Sequence, residues 1–286
     1  MSPQVEAALI AGVVSLISLG GTVVVAVLGF RTTRSVTGST LAEQHTRTLN
    51  ERFATAAGQL GDEKSPAVRL AGVYAMAGLA DDWKGNRKTC VDVLCAYLRM
   101  PYEPDPGQDA PGPERLDFHG GREVRHTVIR VITAHLQVGM AEAMSWRGLT
   151  LDFTGAVFDG GDFRGAVFSG GTVYFNGARF SGGEVIFMGA EFSGSTVNFG
   201  AGFSGGAVTF PLAEFSGGTV DFGHAEFSGS LVSFPGAQFP GGTVDFSCVT
   251  VSSDRGALPW TGALSSWAGA PPPGVKLPRK DDQSQA

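Results

Sequence analysis

Phe168-Ser169-Gly170-Gly171-Thr172-Val173-Tyr174-Phe175-Asn176-Gly177-Ala178-Arg179-Phe180 decides the fold. The phenylalanines stand seven and then five residues apart, and the same alternation runs on through Phe187, Phe192, Phe199 and, after Phe203, to Phe246. Upstream, Phe153, Phe158, Phe163 and Phe168 are spaced by five. Self-similarity at a fixed period means stacked units. Two residues before a five-step Phe stands Ala (Ala156, Ala166, Ala178, Ala190, Ala213, Ala225, Ala237). Before a seven-step Phe it is Val (Val173, Val185, Val197, Val208, Val220, Val232, Val244). One outward residue separates each pair, which is strand periodicity. Glycines fill the spaces between pairs, where the chain must turn. The reading is a helix of very short strands joined by tight corners.

The twelve-residue period could close into a coil after one period, at twelve residues, or after two, at twenty-four. A twelve-residue coil would have so narrow a core that staples such as disulfides would be needed, and no cysteine recurs in the repeat. The twenty-four-residue coil is preferred. At ~4.8 Å per coil, about four coils make a rod of roughly 20 Å. One step, Phe199 to Phe203, is four residues and predicts a local distortion at that corner. A slip of one residue inside a strand would turn its inward face outward.

The stretch from Phe153 to Phe168, with Ala156 and Ala166 two residues ahead of Phe158 and Phe168, resembles a pentapeptide-repeat protein. In that family the repeat centre is Phe or Leu, with Ala two residues earlier. The resemblance implies a right-handed quadrilateral β-helix. The seven-residue steps depart from the family pattern by two added residues, usually Gly-Gly.

Outside the ladder, the run from Ala7 to Phe30 carries no charge and is long enough to span a bilayer. Met1 to Glu6 lacks Lys and Arg, unlike the basic start of a signal peptide. The run therefore reads as a retained, single-pass transmembrane helix. Arg31 and Arg34 follow it and place the remainder in the cytoplasm, since basic flanks stay inside. Residues 31–40 read as a juxtamembrane linker. A helical domain is expected over 41–148, with a strong start at Ser65-Pro66, a loop from Pro101 to Gly121 and a last helix from Val124. The β-helix is placed at 149–253. Residues 254–286 are assigned to a C-terminal cap and disordered tail, with Trp260 and Trp267 folding across the rod's end. The fold class is therefore α+β: a transmembrane helix, a small helical region capping the first coil, then the β-helix. This order is similar to that of membrane-anchored pentapeptide-repeat proteins of actinobacteria.

No constellation of reactive groups emerges. Cys90, Cys95 and Cys248 are too few and scattered for a disulfide framework and read as free thiols in a reducing compartment. His45, His119, His126, His135 and His224 lie at no ligand spacing, and the Gly-Gly pairs lack the Lys-Ser/Thr of a phosphate loop. No enzyme activity, cofactor or metal is expected. The net charge of −6 and the lack of Lys in the ladder give no basis for direct nucleic-acid binding. What stands out is the outward carboxylates Glu191, Glu214, Asp221, Glu226 and Asp245, the candidate interaction surface. Asp221 and Asp245 lie one full coil apart and should stack, and Glu191 and Glu214 nearly so. The expected role is a non-enzymatic, membrane-anchored interaction scaffold with an unknown protein partner. The alternative follows from the resemblance: some pentapeptide-repeat proteins mimic DNA and bind DNA gyrase, since regular carboxylates on a rod imitate a duplex. Ice binding would need a regular row of outward Thr, and Thr172, Thr209 and Thr219 read as scattered.

Overall fold

The computed structural model describes residues 41–102, 105–251 and 271–278. Two compact units divide the chain, residues 1–51 and 52–286. In the first, residues 41–51 are helical, with Arg47 and Glu51 paired one turn apart at 2.9 Å. That helix, α1, extends to residue 60. Among the described residues no helix is long and apolar enough to cross a membrane, and the apolar run Ala7–Phe30 lies outside them, as do Trp260 and Trp267.

In the second unit, α2 (Pro66–Asp82) starts where Ser65-Pro66 predicts: the Ser65 side chain accepts from the Val68 amide and Pro66 opens the first turn. α3 (Arg87–Arg99) carries Cys90 and Cys95, both buried and unpaired. α4 is Gly112–Leu136, which corrects the loop expected through Gly121. Pro111 and Pro113 suit a helix start, where no intrahelical amide is needed. Gly120 lies inside the helix because a side chain there would collide with the Pro66 ring. Gly72 of α2 allows a different close approach, to the end of α1: an added Cβ would stand 2.5 Å from the Leu60 amide.

The rod follows as β1 (Leu151–Asp152), β2 (Val157–Phe158), β3 (Gly161–Asp162), β4 (Val167–Phe168), β5 (Thr172–Tyr174), β6 (Arg179–Ile186), β7 (Glu191–Asn198), β8 (Gly202–Thr209), β9 (Glu214–Asp221), β10 (Glu226–Phe227), β11 (Leu231–Ser233), β12 (Thr243–Asp245) and β13 (Thr250–Val251). All named strands pair in parallel. The final strand, β14 (Val275–Lys276), joins β12. It falls in the stretch assigned from sequence to cap and tail. One sheet runs β1-β5-β7-β9-β12-β14 with β4 on β7, the other β13-β10-β8-β6-β2 with β11 on β8 and β3 on β6.

Strand register settles the coil length. Thr172 pairs with Thr196, and Thr219 with Thr243, which is the four-sided offset. The first coil is two positions shorter (Leu151 with Val173), because all its early steps are five. A coil containing the short step is one position shorter (Glu191 with Glu214). The two-sided coil is thereby excluded.

Each coil has four sides, and each side has a column of stacked rings. The first is Phe153, Phe175, Phe199, Phe222 and Phe246, with centroids 5.1, 4.6, 4.9 and 4.4 Å apart. The second is Phe158, Phe180, Phe203 and Phe227. The third is Phe163, Phe187, Phe210 and Phe234, and the fourth Phe168, Phe192, Phe215 and Phe239. Across the interior, first- and third-side rings meet edge to face, as in Phe187–Phe199 at 85°. Both arrangements suit the ring quadrupole. Each buried Phe contributes roughly 2–3 kcal/mol.

Corners come in two kinds. The tight one, Phe-x-Gly-Ala, closes with the Ala amide donating to the Phe carbonyl three residues back, as from Ala178 to Phe175 at 3.0 Å. Its third residue has positive φ, as a type II turn requires. At the short step this corner loses one residue, and Ala201 donates to Phe199 two residues back at 2.7 Å. Phe203 still stacks on Phe180 at 4.8 Å. The missing residue is absorbed in the corner, so no strand changes face.

Candidate functional site

The rod's backbone brings outward residues into vertical columns. Glu191 and Glu214 pair in register on the fourth side, with Gln238 bridged above. Asp221 and Asp245 pair on the neighbouring first side, in a column with Tyr174 and Asn198. Glu226 stands apart on the second side, between Gly202 and Thr250. Four of the five candidate carboxylates thus gather on two adjacent sides. Asp245 is partly neutralised by Lys276 of β14, at 2.9 Å. Burial pushes the Asp245 carboxyl up, but bonds from Ser247 and then Lys276 outweigh it and hold the group below its usual range. One column escapes the sequence reading: Thr172, Thr196, Thr219 and Thr243 lie in unbroken register on the first side. Stepping through the sequence by whole coils, with the short step allowed for, finds it.

A second site is the junction of helices and rod. A solenoid's first coil exposes carbonyls that no earlier coil can satisfy. Here the helical cap takes them one by one. Arg125 donates to Val157 O at 2.8 Å, Arg122 to Asp159 O at 3.1 Å, Thr133 to Asp162 O at 2.8 Å and Gln137 to Arg164 O at 2.9 Å. Arg125, 4% exposed, also donates to Leu98 O at the end of α3 and lies over the Tyr102 ring at 4.3 Å. Arg99 pairs with Asp152.

Asp159 is the node of this junction, and sequence reasoning overlooks it. Its carboxylate accepts from Tyr102 Oη at 2.8 Å and Arg122 Nε at 3.0 Å, and faces His126 Nε2 at 3.0 Å. Burial alone would raise its pKa, but the bonds from His126 and Tyr102 hold it below the usual carboxylate range. The Tyr102 phenol is pushed up by burial and by its bond to Asp159. The available signal is a broken pattern: Phe158 is followed by Asp159 where Phe180, Phe203 and Phe227 are followed by Ser. Nearby, His135 stacks on Trp146 at 4.0 Å and reaches Asp81 at 3.2 Å, a packing role that ties α4 to α2.

A cavity of about 700 Å³ opens among α2, α3, α4 and the chain flanking them. Tyr102 and Phe118, stacked at 5.8 Å, form one wall. Arg69 and Arg125 reach it from α2 and α4, and Glu114 and Asp117 stand exposed at its rim. Among the described residues no three His, Cys, Asp or Glu side chains are placed to hold a metal ion.

No curated protein and no solved structure matches the chain. Residues 153–205 match the family model described as Pentapeptide repeats (9 copies), which covers the first two coils and their corners. The four phenylalanine columns, the parallel ladder and this match together identify the rod as a pentapeptide-repeat β-helix.

Proposed function

We propose that the chain is a non-enzymatic scaffold, anchored in the membrane by Ala7–Phe30, that presents a cytoplasmic pentapeptide-repeat rod to a protein partner. One observation carries the reading. The interior of the rod is filled by stacked rings, so its chemistry lies on outward columns held in register. The paired carboxylates Glu191/Glu214 and Asp221/Asp245 form the charged part of that surface on two adjacent sides. Anchoring rests on the long uncharged run, and orientation on Arg31 and Arg34.

Two measurements test it. Alkaline phosphatase, or a fluorescent protein that matures only in the cytoplasm, is fused after Ala286; phosphatase activity without fluorescence would refute the orientation. A photo-activatable residue is then placed at 191, 214, 221 or 245, and separately at 226. The scaffold reading expects one discrete cross-linked partner from the first four positions, and only a diffuse background from all five would sink it. A second reading, mimicry of duplex DNA toward DNA gyrase, is favoured by the same in-register carboxylates. It requires residues 40–286 to inhibit gyrase supercoiling, with loss of inhibition on Glu191→Gln/Glu214→Gln.

A further inference from the structure

The last strand of the first sheet is not a coil of the repeat. β14 pairs with β12 at an offset of 31 residues, Val244 with Val275, where a coil uses 24, Thr219 with Thr243. Three prolines, Pro271 to Pro273, precede it, and Lys276 extends a column that carries Asp221 and Asp245. We infer that β14 is an exchangeable strand that seats on the β12 edge of a second copy of this chain, joining the two rods through their last coils.

The contacts that hold β14 come from one short run. The Val244 amide donates to Gly274 O at 2.9 Å and the Phe246 amide to Lys276 O at 2.8 Å. The Val275 side chain is buried, and Lys276 Nζ reaches Asp245 at 2.9 Å. Gly274 has φ +91°, and an added Cβ there would collide with the Gly242 carbonyl oxygen. The turn that shapes the run is its own, since the Val275 amide donates to Pro272 O at 3.1 Å. None of these bonds depends on which copy the run belongs to, so an exchanged strand makes the same bonds as the resident one. Chain is also to spare. The offset exceeds a coil by seven residues, and the nineteen residues between Val251 and Pro271 reach at most about 65 Å. Exchange of an identical element is a low-cost route to a dimer, and a reciprocal swap fills both edges. The inference rests on the anchored scaffold proposed above, because a shared membrane raises the effective concentration of the copies. A swapped pair presents each acidic column twice and makes the scaffold bivalent.

Fluorescence energy transfer on the full chain in detergent tests this, with dyes on the exposed Cys248, since Cys90 and Cys95 are buried. One population carries Asp245→Lys and the other Lys276→Glu. Alone, each sets like charges against each other at its own seat. Mixed, exchanged strands put opposite charges together at both edges. Donor-labelled and acceptor-labelled populations of the two variants should give about fivefold more transfer than either variant labelled with both dyes, and the excess should shrink as salt is raised. Wild-type donor and acceptor populations should also develop transfer. Gly274→Ala and Val275→Asp should each abolish it, with the rod still folded by circular dichroism. Equal transfer in mixed and unmixed variants, no transfer between wild-type copies, or wild-type transfer that survives both substitutions would overturn the inference. The last result would assign association to the anchor instead. Topology and photo-cross-linking from the rod are measured independently of β14, so such a failure would leave the scaffold reading standing.

Discussion

Replacing Gly206 by Ala should cost far more than replacing Gly182, although both belong to Gly-Gly corners of adjacent coils. Gly206 has φ +70°, and a Cβ there would lie 2.6 Å from the Gly182 carbonyl carbon and closer still to the Gly183 carbonyl oxygen. Holding an L-residue in that left-handed conformation costs roughly 1–2 kcal/mol. Forcing the two coils apart is overpacking against backbone, which adds roughly 1–3 kcal/mol. The sum, about 2–5 kcal/mol, is a large share of the roughly 5–15 kcal/mol typical of a folded domain. Gly182 has nothing within 4 Å of its would-be Cβ. Ala there restricts the unfolded chain and should stabilise by roughly 0.4–1 kcal/mol. Denaturant unfolding of the full chain in detergent, followed by circular dichroism and by Trp fluorescence, measures both. Gly206→Ala should lower the midpoint sharply with the slope unchanged, and Gly182→Ala should leave it level or raise it slightly. If the two variants fall within about 0.5 kcal/mol of each other, the spread of ordinary surface substitutions, direct coil-on-coil backbone contact at this corner is refuted.

Three further outcomes follow from the packing. Asp159→Asn should loosen the junction by about 1–3 kcal/mol, because Arg122 and His126 lose a charged acceptor. Since the folded pKa of Asp159 lies below its unfolded value near 3.9, its contribution is present above about pH 4 and fades as pH falls through the folded value. The variant's stability should therefore fall less on acidification than that of the wild type. Ser195 occupies a corner position where Gly171 and Gly218 stand in neighbouring coils, and its buried hydroxyl has no partner; Ser195→Gly should raise the unfolding free energy, read from denaturant titration, by about 1 kcal/mol, the unsatisfied-hydroxyl cost less the backbone entropy of Gly. Cys248 is exposed while burial pushes the Cys95 thiol up to about 12, so native-state alkylation read by mass spectrometry should label Cys248 alone and reach Cys90 and Cys95 only on unfolding.

The phenylalanine spacing made the rod legible, because the rungs from Phe153 to Phe234 are all buried by the same local pattern. Register also followed from it, down to the corner that absorbs the missing residue between Phe199 and Phe203. The start of α4 was not legible. Prolines and a Gly-Gly pair read as loop, and only the crossing of α4 over Pro66 shows why Gly120 belongs in a helix. Asp159 was hidden for a different reason: its partners Tyr102, Arg122 and His126 lie far away in the chain, and no periodic pattern encodes such a meeting. The cavity was equally invisible, since Glu114, Asp117, Phe118 and Gly121 of its lining fall in the stretch read as loop. The acidic pairs were readable as stacked, while their distribution over different sides needed the coil length to be known.

The sequence period is half the structural coil, and this mismatch makes the rod a two-stroke device. Inserting one whole coil would lift everything downstream by ~4.8 Å along the axis and leave each outward column facing as before. Inserting half a coil would satisfy the core equally well, since Phe, Ala, Val and glycine corners recur at that shorter period. It would, however, turn the distal columns by half a revolution, carrying Asp221 and Asp245 to the side now held by Thr209 and Ser233. Repeat duplication can thus rewire which face a partner meets without disturbing the hydrophobic interior at all.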